Sequence, residues 1–418
     1  MDIHSTTLSS GLRVVTDSMP QAETITIGVF VEVGTRHEEL AVHGISHMLE
    51  HMTFKGTTTR SAYKIAEEMD NVGGHLNAYT SRDHTAYYAT VLKKDISTAI
   101  AIISDIVINP LIDGTEFCRE QNVVLQEIYQ SEDTPDDIVF DHLMSAAYPD
   151  QSIGLPILGT VQSVKKMVPE DLKSYMQKYY TCSNIIVSAA GNIEHENFVH
   201  KIKDSFASLA IGSTIGYDQP LYVGGDKRTP KPIEQLHLTL GFKGVGYQSS
   251  NYYALSTFST LFGEGLSSRL FQEVREKRGL AYSVFSSHSG YIDSGLFSIY
   301  VGSTKQETKE LIRVLIREII RISEGVKNDE VERAKTQIKA GLLMGLESTS
   351  NRCIQLARQT AIHKQPINVE EIIQKIDSLD IETVSKAAQV LFQNRPTLAV
   401  VGQIDEVLSY EELRTQFN

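Results

Sequence analysis

Three histidines and a glutamate fall within nine positions of "HGISHMLEHMTF", residues 43–54. Ile, Met and Leu recur at helical spacing, and no Gly or Pro follows Gly44, so the stretch reads as a helix. On a helix His47 and His51 are i and i+4, one turn apart on one face, with Cβ atoms roughly 5–6 Å apart. That spacing suits two imidazoles converging on one tetrahedral ion at Zn–N distances of ~2.0–2.1 Å. Glu50, three positions past His47, borders the same face and is within reach of a water on such an ion without being its ligand. The pattern is H-x-x-E-H, the inversion of the zinc-binding H-E-x-x-H.

Two histidines do not complete a catalytic zinc site, which takes three protein ligands and keeps one position open. A second helix, "GTEFCREQNVVLQEIYQSED" at 114–133, supplies candidates, with Thr115 as its expected N-cap. Glu120 and Glu127 are seven apart, two turns along one face, flanked by Val123 and Val124. Acids on an apolar side want a partner. A metal taking one carboxylate as ligand and the other as support would provide it. Surface salt bridges are the alternative.

These elements sit in a chain of 418 residues, long enough for two domains or more. The apolar fraction is 41% and the charged fraction 22%, the balance of a globular protein. No apolar run approaches the ~20 residues of a spanning helix, so no membrane span is expected. A net charge of −13 argues against nucleic acid as a partner. Cys118, Cys182 and Cys353 are scattered and form no disulfide framework or CxxC site, and idle thiols in a reducing compartment are expected. The start, "MDIHSTTLSSGLRV", lacks the basic and apolar regions of a signal peptide. A cytoplasmic, bacterial location is expected, or the mitochondrial matrix if the numbering is that of a mature form.

One large unit recurs. "YYTCSNIIVSAAGNI" near residue 180 matches "LFQNRPTLAVVGQI" near 391, with Gly191 and Gly402 211 positions apart. "GGHLNAYTSRDHTAYYATV" matches "RGLAYSVFSSHSGYIDSGLFSIYV", and "TITIGVFVEVG" matches "QLHLTLGFKG". The Gly- and Pro-rich seam at 211–235 reads as a linker. The expected organisation is a domain at 1–212, a linker at 213–231 and a homologous domain at 232–418. Each is α+β, a mostly antiparallel sheet with helices on one face. A shift of 211 places "FSTLF" (258–262) where "HMLEH" stands, so the second domain is expected to lack the metal and serve binding.

With H-x-x-E-H, a Glu 76 residues beyond His51 and an acid seven before it, the chain resembles the M16 family of zinc metallopeptidases. Its length resembles the M16B branch, including the mitochondrial processing peptidase β subunit and bacterial homologues. The resemblance spans nearly the whole chain and implies a zinc endopeptidase that closes two domains, clamshell-like, over an extended peptide. It implies that His47, His51 and Glu127 hold Zn2+, that Glu50 is the general base and that Glu120 supports the site. In "SSRLFQEVREKRGLAYSV" Ser267 or Ser268 can cap a helix that Gly279 ends. Arg275 and Tyr282 match an Arg and a Tyr of the family that reach the zinc site, the Tyr hydroxyl serving the oxyanion. Asn77 and Ala78 match an edge strand that pairs with substrate backbone. Phe54 matches a pocket-lining position, with core packing as the alternative.

"DDIVFDHL" places Asp137 and Asp141 at i and i+4, like the acids with which the β subunit binds an arginine before the cut. This suggests cationic, presequence-like peptides, and a solvated acidic face is the alternative. General oligopeptide degradation is the competing enzymatic reading. A non-catalytic M16-like subunit is the other class, although such relatives lose the metal residues kept here. A homodimer, or a heterodimer with a related subunit, is expected. His43, His75 and His84 are expected in surface, capping or supporting roles.

Overall fold

Residues 2–216 and 218–417 are described by the computed structural model, and among them eleven strands form two sheets. The first contains β1 (Asp2–Thr7), β2 (Arg13–Ser18), β3 (Thr24–Val31), β4 (His75–Thr80), β5 (Thr85–Leu92) and β6 (Ile185–Gly191), in the order β1-β2-β6-β3-β5-β4. The second contains β7 (Gly225–Pro230), β8 (Gln235–Gly244), β9 (Ala281–Gly290), β10 (Gly295–Thr304) and β11 (Thr397–Gly402), in the order β7-β11-β8-β10-β9. Neighbours are antiparallel except β2 with β6 and β7 with β11.

Without β1, the two orders are the same sheet built twice. The matched glycines make the same turn: Gly191 has φ 138° and Gly402 φ 128°. A Cβ at either would lie within 2.4 Å of Thr24 O or 2.8 Å of Gln235 O. Only glycine fits both the backbone and the space.

The linker expected at 213–231 is partly ordered structure, because Gly225–Pro230 is strand β7. It pairs by backbone alone at a sheet edge, so its sequence, GDKRTP, shows no apolar alternation to betray it.

Helices on one face of each sheet were expected, yet both faces are covered. Along β3, Ile27, Val29 and Val31 point into the larger core, while Phe30 points the other way. There Phe30 meets Val15, Ala86, Ile186 and Ala190, together with Cys353, Leu356 and Ala357 of the helix Thr349–His363. In the second sheet, Leu296, Tyr300, Ala399 and Val401 meet Val139, Leu143 and Met144 of the helix Pro135–Ala147. The central strands β6 and β11 are buried at every position, which demands cover on both sides.

Each covering helix comes from the opposite half of the chain. The compact units are therefore not the contiguous stretches 1–212 and 232–418. One comprises Met1–Tyr129, Leu155–Asp218 and Leu343–Asn368; the other comprises Gln130–Gly154, Gln219–Leu342 and Val369–Asn418. No helix among the described residues is long and apolar enough to cross a membrane.

Two half-buried histidines are expected to make the fold acid-sensitive. Burial, with Arg358 nearby, pushes His84 down to about 4, and burial pushes His288 to about 4. The unfolded chain holds both near ~6.5. Between about 6.5 and 4 the unfolded state thus binds more protons, and stability falls as pH falls. Melting at pH 5 is expected below melting at pH 7.5, by roughly 2–4 °C per kcal/mol lost. His288→Gln is expected to flatten the slope in thermal melts across that range; an unchanged slope excludes His288 as a contributor.

Candidate metal centre

The histidines ride on a nine-residue helix, Ile45–Thr53. Ile45, Met48, Leu49 and Met52 form its buried stripe, leaving His47, Glu50 and His51 on the adjoining flank. Its start is held by Glu38, whose carboxylate accepts from Gly44 N–H (2.7 Å) and Ser46 N–H (2.8 Å). Gly44 has φ 92°, and a Cβ there would stand 2.8 Å from Leu158 O. A carboxylate at a helix N-terminus also favours the dipole.

His43 belongs to this brace. It is buried, its Nε2–H donates to Pro156 O at 2.7 Å, and its Nδ1 lies 2.9 Å from Glu38 Oε2. His75 is exposed on β4. His84 hydrogen-bonds Tyr79 and Ser81 in the β4–β5 turn.

The glutamates come from the helix Gly114–Glu132, capped by Asp113 rather than Thr115: Asp113 Oδ1 accepts from Thr115 N–H (2.8 Å) and Glu116 N–H (3.1 Å). Glu120 is buried in the same stripe as Phe117 and Val124, whereas Val123 is exposed.

Across this pair of helices, one donor atom each from His47, His51 and Glu127 lies within 4.8 Å of the other two. Glu127 Oε2 is 3.7 Å from His47 Nε2 and 3.5 Å from His51 Nε2. These separations are long for hydrogen bonds. They are close to the ~3.4 Å between ligands of a tetrahedral ion with bonds of ~2.0–2.1 Å. Burial, with His51 beside it, pushes His47 down to about 3, so it stays a neutral imidazole, the ligating form. The donor set of two imidazoles and one carboxylate fits zinc.

The surroundings aim these donors. His51 Nδ1 lies 3.1 Å from Glu120 Oε2, and Lys55 Nζ lies 2.8 Å from Glu120 Oε1. A proton on Nδ1 donated to Glu120 leaves the Nε2 lone pair facing Glu127. Glu50 is not in the donor cluster. Burial raises its carboxyl above the usual range, opposed by the Thr80 hydroxyl and by His51. Thr80 Oγ1 donates to Glu50 Oε2 at 2.5 Å.

On β4, Asn77 is exposed, and its Oδ1 accepts from Ala78 N–H at 2.8 Å. Ala78 and Phe54 are half-buried against the first core, with Phe54 6.4 Å from the Tyr87 ring.

Two family profiles match this chain: "Insulinase (Peptidase family M16)" over residues 13–161 and "Peptidase M16 inactive domain" over 166–338. A Rickettsia felis protein named "Uncharacterized zinc protease" is 39% identical over 399 residues, covering 95% of this chain and 97% of its own. The chain belongs to peptidase family M16. YmxG of Bacillus subtilis, also named an uncharacterized zinc protease, is 38% identical over 398 residues, with 95% and 97% covered. Such relatives support a metallopeptidase. In fold, the M16 chain is similar to a chain of "Complex III2 from Candida albicans, Inz-5 bound" (TM-score 0.90, 22% identity, 99% of each chain). It is also similar to a protease from Helicobacter pylori (TM-score 0.88, 23% identity, 96% and 99%).

The second M16 repeat has apolar residues at every metal-set position. Under the shift of 211, Phe258, Leu261 and Phe262 replace His47, Glu50 and His51, and Val331 and Ile338 replace Glu120 and Glu127. Phe258 and Phe262 stack at 5.1 Å inside the core.

In that repeat a π-helical turn, Phe271–Glu276, replaces most of the expected helix. Gly279, with φ 63°, ends it through Gly279 N–H to Arg275 O (2.9 Å). The Arg275 guanidinium lies 4.8 Å from the Phe271 ring and 4.7 Å from the Tyr282 ring, and Tyr282 is 79% exposed. Asp137 is exposed in the first turn of its helix, and Asp141 is half-buried near Lys227.

Sequence reasoning missed Glu38, Lys55 and Thr80. An acid six residues before Gly44 was the one available cue to a brace; nothing in the order of residues pairs Lys55 with Glu120 or Thr80 with Glu50.

Proposed function

We propose that this protein is a zinc-dependent metalloendopeptidase that cleaves extended peptides. The observation that carries this is the convergence of His47, His51 and Glu127 beside a half-buried carboxylate, Glu50, that stands outside their cluster. Zinc, when bound, supplies Lewis acidity and a water of lowered pKa. Glu50, made more basic by burial, takes a proton from water and delivers it to the leaving amine. Glu120 holds the orientation of His51, and Lys55 holds Glu120. Phe54, Asn77 and Ala78 bind substrate in this reading. Tyr282 steadies the developing oxyanion, with Arg275 stacked on its ring. Cleavage in a cavity between two domains is part of the proposal and rests on the family resemblance.

Broad peptide specificity is favoured over presequence-like substrates, because Lys227 already lies close enough to feel the charge of Asp141. A cytoplasmic location and a homodimer, or pairing with a related subunit, complete the reading.

The test is zinc content together with cleavage-site mapping on a peptide library that includes arginine-containing presequence peptides. Near-stoichiometric zinc and internal cleavage, lost with chelator and restored by zinc, are expected. A zinc-free, inert protein overturns the proposal. A selective loss of arginine-peptide cleavage in Asp137→Ala/Asp141→Ala would restore the presequence reading.

A further inference from the structure

We propose that Thr80 is a positioning residue that fixes the Glu50 carboxylate, leaving Oε1 as the oxygen free to move a proton; the inference rests on the reading of Glu50 as base. Thr80 Oγ1 donates to Glu50 Oε2 at 2.5 Å, and among the described residues this is the hydrogen bond that the Glu50 carboxylate makes. A glutamate's terminal torsion is broad, so an unanchored carboxylate presents its two oxygens interchangeably. One short hydrogen bond removes that freedom.

Thr80 is itself fixed. It ends β4, paired with Thr85 on β5. The Thr85 hydroxyl donates to Val33 O at 3.0 Å. The connecting turn is closed by Ser81 N–H and Ser81 Oγ–H, each donating to His84 O at 2.8 Å. Thr80 is β-branched on a strand, so its own χ1 is stiff. A base held from a paired strand is better placed than one held from a mobile loop.

Position also matters for substrate. Side chains alternate along a strand, so Thr80 and Ala78 lie on one face of β4, two residues apart. The strand proposed to receive substrate backbone therefore also anchors the base. Distance between the scissile bond and Glu50 then depends on one element rather than two.

The test compares wild type, Glu50→Gln, Thr80→Val and Thr80→Ser for kcat, KM, zinc content and melting temperature. Thr80→Val is expected to lower kcat by roughly tenfold or more, a fraction of the 10²–10⁴ that a positioned base contributes. KM, zinc content and melting temperature stay at wild-type values, and Thr80→Ser recovers most of kcat. Should Thr80→Val not fold, Thr80→Ala carries the same expectation. Wild-type kcat in Thr80→Val overturns the inference. So does a loss in Thr80→Ser equal to that in Thr80→Val, or a loss accompanied by falling zinc content or melting temperature. A wild type without zinc-dependent cleavage overturns the reading of the whole site. An active wild type, an inert Glu50→Gln and a fully active Thr80→Val overturn Thr80 alone.

Discussion

Glu50→Gln is expected to keep the fold and the zinc while lowering kcat by roughly 10²–10⁴-fold, the usual contribution of a positioned general base. The substitution is isosteric, and the amide oxygen can still accept from Thr80 Oγ1. His47, His51 and Glu127, the atoms that converge, are untouched. What the amide cannot do is take a proton. Stability should not fall, because burial already raises the carboxyl of Glu50 and so disfavours its charged form in the fold. Removing a charge that the site holds at a cost leaves the melting temperature equal or higher. Zinc by atomic absorption, kcat on one mapped peptide and a thermal melt decide the matter together. A wild-type rate removes Glu50 from the mechanism. A zinc-free variant means instead that Glu50 helps to hold the metal.

The converging donors were legible because spacing suited to a metal leaves periodic traces. His47 and His51 are one turn apart, and Glu120 and Glu127 are two, so each pair declares a shared face. The repeat was legible for a similar reason: Gly191 and Gly402 mark a backbone that only glycine adopts. The residues that finish the site left no such trace. Lys55 reaches Glu120 and Thr80 reaches Glu50 from other elements. Cross-element pairs have no spacing to read. Strand β7 was hidden because it contributes backbone rather than apolar side chains. The helix Gly114–Glu132 starts on Asp113 because an aspartate one residue earlier could accept from two amides at once.

The exchange of helices was harder still, since Thr349–His363 reads as an ordinary amphipathic helix wherever it packs. Its continuous strand partners were the missed cue. "IIVSAAG" is apolar at both parities, and a strand of that kind wants cover on two faces.

That exchange makes a strong expectation: residues 1–212, produced alone, do not form a stable domain, although they contain the whole metal set. Without Thr349–His363 the fragment exposes Val15, Phe30 and Ile186 and loses Leu356, which packs on them. Burial of such side chains is worth ~1.5–3 kcal/mol each, or roughly 6–12 kcal/mol for the four. A domain's whole margin is ~5–15 kcal/mol. Polar losses add to this. Arg352 Nη1 lies 2.8 Å from Asp17 Oδ2, and Asp17 is buried, so its carboxylate is stranded when the helix is absent. Ser188 Oγ loses Cys353 O at 2.8 Å, and Thr26 loses Thr349 at 2.9 Å. The fragment also carries Val139, Leu143 and Met144 with no sheet to cover them. Aggregation, or a compact state without a cooperative melt, is the expected result in solubility and near-ultraviolet circular dichroism measurements. Joining 343–368 to the fragment through a flexible linker should restore a cooperative transition, and trimming 130–154 should sharpen it. A soluble, monomeric 1–212 melting like the full chain would mean that the exchanged helix is only a cover, and that the metal site needs just the half that carries its ligands.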